Sequence, residues 1–454
     1  MSITTLNPAT GELLESYQPY DAAQCDQILD EVVGAQHQWR RLDVTERVAA
    51  LRPLAEVLRT NVDEYATLMT VEMGKPIEQA KAEVLKCAVC MDHFAEHGPR
   101  YLEPVDVPTS ASRSGVRYLP IGVVLGVMPW NFPFWQALRF AIPTMVAGNG
   151  IVLKHASNVP GSALALERIV AATGVPEGLF RTVLLEGGDV LPLIDDARIA
   201  GVSLTGSESV GRRIGAAAGA ALKPAVLELG GSDPFIVLAD ADVQAAAQAA
   251  STARTQNNGQ SCIAAKRFIV ASEVHDEFVD AFVGAMSSLK VGDPIDSGTQ
   301  LGPMARSDLR DELHEQVVQT AKGGGRVVLG GEVPDGPGAY YPASVVLDVE
   351  PGMVGFDEEL FGPAGVVVRA GSEEEVVALS NLSRYGLGSS VWSTDTDRAL
   401  ALGAQLENGL VFVNDFTRSD PAVPFGGVKA SGYGRELGQQ GILEFVNTQT
   451  TWVA

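Results

Sequence analysis

Between Ile121 and Leu289, short apolar runs alternate with stretches of helical period. Ile121–Met128 is a run of aliphatic residues suited to a strand buried on both faces, and Phe134–Ala147 follows with helical spacing. Strands are then predicted at Ile151–Lys154, Phe180–Leu185 and Ile199–Leu204, with helices at Ser162–Ala172 and Val210–Ala221. Pro224–Leu229 and Phe235–Leu238 read as further strands. After Asp240 the pattern restarts with a helix to Arg254, a strand over Arg267–Ala271 and a helix over Val274–Leu289. This alternation predicts parallel sheets covered by helices, and the restart predicts a second α/β domain. Upstream, residues 21–100 carry apolar positions at threes and fours, such as Leu51, Leu54, Ala55 and Leu58, and predict a mainly helical region. Residues 321–342, with Gly323-Gly324-Gly325 and Gly330-Gly331, predict turns around one short strand. Thr448–Val453 alternates like an edge strand, which pairs either with another chain or within its own.

The length of 454 residues sets a prior of about three domains. Thirty-three basic residues against 56 acidic ones leave a net charge of −23, and no basic run occurs, which argues against a nucleic-acid partner. The N-terminal Met1–Pro8 lacks a basic stretch followed by an apolar core, so no secretory signal is expected. The longest apolar stretch, Ala141–Leu153, is interrupted by Pro143, Gly148, Asn149 and Gly150 and falls short of the ~20 residues that span a membrane. Four cysteines do not make a disulfide scaffold, and a reducing, cytoplasmic compartment is expected.

Cys87, Cys90, His93 and His97 resemble a zinc-ligand set, and His93 to His97 also fits an inverted zinc-peptidase pattern. On one helix, however, Cys87 and His97 stand ~15 Å apart, too far to share an ion. A solvated helix face is the expectation, with no metal; cysteines other than Cys262 read as packing residues. Gly206-Ser207, directly after the Ile199–Leu204 strand and before a helix, makes a plausible anion site, a weak signal by itself.

Three segments carry stronger chemistry. Asn257-Asn258-Gly259-Gln260-Ser261-Cys262 sets a thiol in a polar, small-residue loop. Glu228-Leu229-Gly230-Gly231 ends an apolar strand with a carboxylate, and Pro129-Trp130-Asn131-Phe132-Pro133 ends another with an amide between prolines. Ligands bind at the carboxyl ends of strands in parallel sheets. A thiol, a carboxylate and an amide fit thiolate attack on a carbonyl, charge stabilisation of the oxyanion and later activation of water.

Together with Glu359-Leu360-Phe361-Gly362-Pro363 and Pro424-Phe425-Gly426-Gly427-Val428-Lys429, these segments resemble the aldehyde dehydrogenase superfamily in order and spacing along essentially the whole chain. The resemblance implies an α/β fold with a Rossmann-type coenzyme domain (residues 1–105 and 120–228), an α/β catalytic domain (229–430) and a small β oligomerisation element (106–119 and 440–454). It implies a homodimer or homotetramer that oxidises an aldehyde with a nicotinamide coenzyme. By position, Cys262 would be the nucleophile, Glu228 the base for the hydrolytic water, and Asn131 the oxyanion donor together with the Cys262 amide. Coenzyme contacts would come from Met128, Pro129 and Trp130, from Lys154, His155, Ala156 and Ser157, from Gly206 and Ser207, and from Leu229, Glu359 and Phe361. The presence of Glu228 favours hydrolysis over transfer to CoA, and the full set of three argues against a silent relative. A thiol hydrolase would need a histidine beside the cysteine.

Ser157 stands where NAD-preferring relatives commonly carry glutamate. A small neutral residue beside Lys154 leaves room for a 2′-phosphate, so NADP is expected to be preferred, with NAD possible. The wording of Lys154–Pro160, Leu227–Pro234 and Gln256–Phe268 most resembles bacterial succinate-semialdehyde dehydrogenases of the NADP type. Arg139 would then meet the remote carboxylate, unless it sits in a structural ion pair, with Trp135, Arg418 and Ser419 as further substrate contacts. Two departures stand out: Gln256 replaces an arginine of some semialdehyde enzymes, and Ser232 a lysine of many superfamily members.

Overall fold

The computed structural model describes residues 2–454. Its centre is two mainly parallel sheets. The first has six strands in the order Gly432–Tyr433, Ala225–Glu228, Ile199–Thr205, Val123–Met128, Gly150–His155 and Phe180–Thr182, all parallel except the first pair. Every residue of Val123–Met128 and of Gly150–His155 is buried, which explains the uninterrupted apolar runs. The chain leaves Val123–Met128 toward Gly150–His155 on one side and later returns to Ile199–Thr205 on the other. That reversal opens a crevice at the carboxyl ends of the central strands.

The second sheet has seven strands in the order Arg326–Leu329, Ser344–Leu347, Ala364–Ala370, Ala265–Ala271, Asp233–Val237, Ser390–Trp392 and Phe412–Val413. The strand predicted at Phe235–Leu238 therefore begins the second sheet, so the restart comes before Asp240, and the crossing falls between Glu228 and Asp233. Residues 229–232 lie at the junction, which is why a short Glu-Leu-Gly-Gly segment touches both units.

Residues 21–100 form five helices, ending in the 25-residue Ile77–Tyr101. Cys87 and Cys90 lie on its fully buried face, whereas His93 and His97 are half-exposed on another, with ring centroids 4.6 Å apart. Only the two histidines reach the more solvated side, and Cys87 and Cys90, at steps of three from Val84, turn into the core as packing residues. The helix Pro133–Val146 is buried along its whole length. Its start is held by Glu83 of Ile77–Tyr101, whose Oε1 accepts from the backbone N–H groups of Phe134 and Trp135, both at 2.9 Å. Glu83 itself pairs with Lys75, also buried.

Val446–Val453 pairs antiparallel along its full length with Arg113–Pro120, which also pairs with Val105–Asp106. The terminal strand therefore finds a partner within its own chain, with its other edge unpaired among the described residues. The pattern did not reveal the hairpin Ile3–Leu6/Leu13–Tyr17. Its only sequence signal is the turn around Asn7 and Gly11, where Asn7 Oδ1 accepts from the Ala9 N–H and Gly11 has φ +78°.

Candidate active site

Cys262 follows a turn in which Asn257, Asn258 and Gly259 take φ values of +54°, +56° and +74°. Side-chain hydrogen bonds hold this unusual backbone. Asn257 Nδ2 donates to Asn131 O at 2.7 Å, Asn258 Nδ2 donates to Gly74 O and Pro303 O at 2.8 Å, and Gln260 Oε1 accepts from Ala305 N–H at 2.9 Å. A Cβ on Gly259 would stand 2.3 Å from the Gly362 carbonyl carbon, so both space and φ demand glycine there. Lys266, wholly buried, donates to Ser261 O (2.9 Å) and Cys262 O (2.8 Å) and pairs with Glu359 at 3.2 Å. Sequence reasoning missed Lys266: a single cation four residues past the thiol, on a strand, gives no pattern.

Asn131 Nδ2 donates to Gln260 O at 3.0 Å, which orients the amide and leaves its second N–H without an acceptor among the described residues. Asn131 and Cys262 line one cleft together with Pro129, Trp130, Gly206, Ser207, Leu229, Glu359 and Phe361, all expected, and with Thr205, Gln316, Glu358, Arg384 and Tyr385, which were not. No histidine lines it, so the thiol lacks the base that a thiol hydrolase requires. Burial pushes the Cys262 thiol up to about 12, with the charges of Arg139 and Lys266 pulling it back. In the free protein it is therefore a neutral thiol.

Glu228 ends the strand beside Thr205 and is 2% exposed. Neither of its carboxylate oxygens has a hydrogen-bond partner. Desolvation, then the neighbouring Glu436 carboxylate, raises its pKa well above the ordinary glutamate range, against the opposing charges of Arg139 and Arg435. Such a group holds a proton readily and releases it when charge or water arrives nearby.

Glu359 Oε1 accepts from the Gly231 N–H at 3.0 Å, and a Cβ on Gly230 would stand 2.2 Å from Glu359 Oε2. Trp130 and Phe361 meet edge to face, ring centroids 5.8 Å apart. Ser207 is the N-cap of Glu208–Ala220, yet its side chain makes no capping bond and meets Ser209 instead, so the first amides of that helix stay free. Lys154 is 7% exposed at the end of the central strand, and no carboxylate lies within ion-pair distance among the described residues; burial lowers its pKa. Free helix amides and an unpartnered buried cation suit a dinucleotide with phosphate groups. His155 and Ala156 support from behind: His155 Nε2 donates to Pro133 O at 2.8 Å and Nδ1 accepts from the Ala156 N–H at 2.9 Å, a neutral ring whose pKa burial lowers to about 4. Met128 is buried at its strand end, and Ser157 is exposed beyond Lys154.

The substrate contacts differ most from expectation. Arg139 does not line the cleft. It pairs with Glu436, reaches Thr205 Oγ1 at 3.4 Å and lies 4.6 Å over the Phe425 ring. The structural ion pair is what forms, because two charges buried this deeply need each other. Arg418 is exposed and tied to Asp415. Trp135 Nε1 donates to Ser419 Oγ at 3.1 Å, so these two do come together. Gln256 opens the turn before the thiol with its amide nitrogen unpartnered, and Ser232 is buried with its backbone carbonyl accepting from Arg267 Nε at 3.0 Å.

A family model described as the aldehyde dehydrogenase family matches residues 1–451. The chain belongs to the aldehyde dehydrogenase family. It is 47% identical over 454 residues, all of both chains, to a probable NADP(+) succinate-semialdehyde dehydrogenase of Synechocystis. It is 48% identical, again over all of both chains, to an aldehyde dehydrogenase of Paenarthrobacter nicotinovorans. Among solved structures, a succinic semialdehyde dehydrogenase of Streptococcus pyogenes in complex with NADP+ superposes with a TM-score of 0.97 at 35% identity, covering 99% of each chain. As an aldehyde dehydrogenase, this chain is an NAD(P)-dependent oxidoreductase acting on an aldehyde. No helix among the described residues is long and apolar enough to cross a membrane.

Proposed function

We propose that this aldehyde dehydrogenase oxidises succinate semialdehyde to succinate, prefers NADP while accepting NAD, and works as a cytoplasmic homodimer or homotetramer. What carries the chemistry is the meeting of Cys262, Asn131 and Glu359 in one cleft, with Glu228 buried beside its wall. The relatives named above support the substrate and coenzyme, and the small, exposed Ser157 next to the unpaired Lys154 supports NADP on physical grounds.

In this reading the Cys262 thiol gives up its proton to water in the cleft, its sulfur adds to the aldehyde carbon as the carbonyl electron pair moves to oxygen, and the free N–H of Asn131 and the Cys262 amide stabilise the oxyanion. The nicotinamide coenzyme, when bound, supplies the hydride acceptor. Glu359 orients the coenzyme ribose and Lys154 the adenosine ribose. Gly206 and Ser207 hold the pyrophosphate, supported by the free amides of the helix they open. Once a thioester stands on Cys262, Glu228 takes a proton from the attacking water. The six-stranded unit is the coenzyme domain and the seven-stranded unit the catalytic domain. The sheet formed by the arm and the terminal strand joins subunits through its open edge, where Trp452 and Val453 are exposed.

Initial rates of coenzyme reduction with succinate semialdehyde and with butanal test the substrate. An advantage of at least about 10-fold in kcat/KM for the semialdehyde is expected; equal rates would remove the semialdehyde and keep the chemistry at Cys262. Ser157→Glu tests the coenzyme: kcat/KM with NADP should fall about 30-fold or more through repulsion of the 2′-phosphate, and survival of NADP use would overturn the preference.

A further inference from the structure

A semialdehyde carries a carboxylate at its far end; Arg139 is paired with Glu436 and Arg418 with Asp415, and a further cation stands close by. The Lys86 ammonium on the Ile77–Tyr101 helix is uncommitted. No carboxylate lies within ion-pair distance of it among the described residues. Its hydrogen bond is donated to Ser419 Oγ at 2.7 Å, and it lies 4.3 Å over the Trp135 ring. Ser419 Oγ also accepts from Trp135 Nε1, so both of its lone pairs are filled and its hydroxyl hydrogen is free. A donor count of the cluster leaves two N–H groups of Lys86 and one O–H of Ser419 without acceptors. A cluster with donors left over and no acceptor is built for an anion, and in a protein of net charge −23 a half-buried ammonium without a carboxylate is conspicuous.

Its position suits the task. Trp135 and Arg139 stand one turn apart on a face of Pro133–Val146, the helix that opens two residues after Asn131. Cys262 packs against the same apolar cluster that contains Trp135.

We propose that Lys86, seated on Trp135 and bonded to Ser419, binds the remote carboxylate of the substrate. This rests on the semialdehyde reading given above. Burial, and then the neighbouring Arg139 cation, bring the Lys86 pKa down to about 8, so the free ammonium is destabilised and an arriving carboxylate relieves it.

The test is the ratio of kcat/KM for succinate semialdehyde to that for butanal in Lys86→Met, which keeps the aliphatic stem over Trp135 and removes the charge. The ratio should fall about 30-fold, the size of a charge-assisted hydrogen-bonded contact, mainly through KM. Lys86→Arg should restore part of it. Succinate inhibition of butanal oxidation reads the same contact without turnover of the semialdehyde, and its inhibition constant should rise by a similar factor. An unchanged ratio, or an equal loss for both aldehydes, would overturn the assignment. The wild-type ratio judges the semialdehyde reading separately, since the change on substitution is measured against it and the succinate arm does not depend on which aldehyde the enzyme prefers.

Discussion

The loop that presents Cys262 and the pocket that holds Glu228 solve opposite problems within one site. In the loop, side-chain hydrogen bonds hold the backbone: Asn257, Asn258, Gln260 and Lys266 tie three consecutive left-handed residues to four other segments. Around Glu228 the carboxylate oxygens have no hydrogen bonds, and Glu436, Glu444, Arg139 and Arg435 surround it with charge. Satisfied hydrogen bonds fix a geometry, which a nucleophile needs so that its sulfur meets the carbonyl in line. An unsatisfied, desolvated carboxylate fixes little but has a raised proton affinity, which a general base needs to take a proton from water. Rigidity and proton affinity are thus supplied by separate parts of the fold.

Four experiments break or sharpen this contrast. Cys262→Ser, which removes the thiol and leaves the loop's bonds, should lower kcat/KM by about 10⁴-fold or more with an unchanged unfolding transition, checked by coenzyme reduction and thermal melts. Glu228→Gln should spare the first turnover and block the second: a burst of coenzyme reduction equal to the number of sites, then a steady rate about 10³-fold lower. In the wild type the acid limb of kcat against pH should lie above the ordinary glutamate range, because the base must be ionised and burial raises its pKa; the variant should lose that limb. Lys266→Met releases the Ser261 and Cys262 carbonyls and Glu359 at once, and kcat should fall about 10²-fold, with a smaller burst rate as the sign that geometry rather than hydrolysis is lost.

The smallest effect concerns stability. A carboxyl whose folded pKa is raised contributes stability that is fully present below its unfolded value, ~4.3, and is lost as pH rises through the folded value. Glu228 is such a group, so the melting temperature of Glu228→Gln relative to wild type should climb between pH 5 and pH 8, by roughly 1–2 °C. A difference that stays flat with pH would mean that Glu228 is not held protonated by its surroundings.

Legibility in the sequence followed the range of each interaction. Cys262, Glu228 and Asn131 were readable because each belongs to a short segment at a strand end, where small residues and prolines mark the turn. The central strands were readable because burial on both faces leaves an unbroken apolar run. The hydrophobic pattern by itself places the start of the second sheet late, since Asp233–Val237 looks like any other strand until its neighbours Ala265–Ala271 and Ser390–Trp392 are known. Arg139 was read as meeting the substrate carboxylate or sitting in a structural ion pair, because nothing near it announces Glu436, which follows almost 300 residues later.

By itself the amino-acid order determined the element types, the family and the three groups suited to thiol chemistry, because helix period, strand burial and turn residues act over a few positions. Tertiary structure alone decided which charges neutralise one another: Arg139 with Glu436, Lys266 with Glu359, and Lys86 left facing Ser419 across 333 positions of chain. Electrostatic partners are chosen by distance in space and by loss of water, and neither quantity exists until the two sheets and the long helix have packed together.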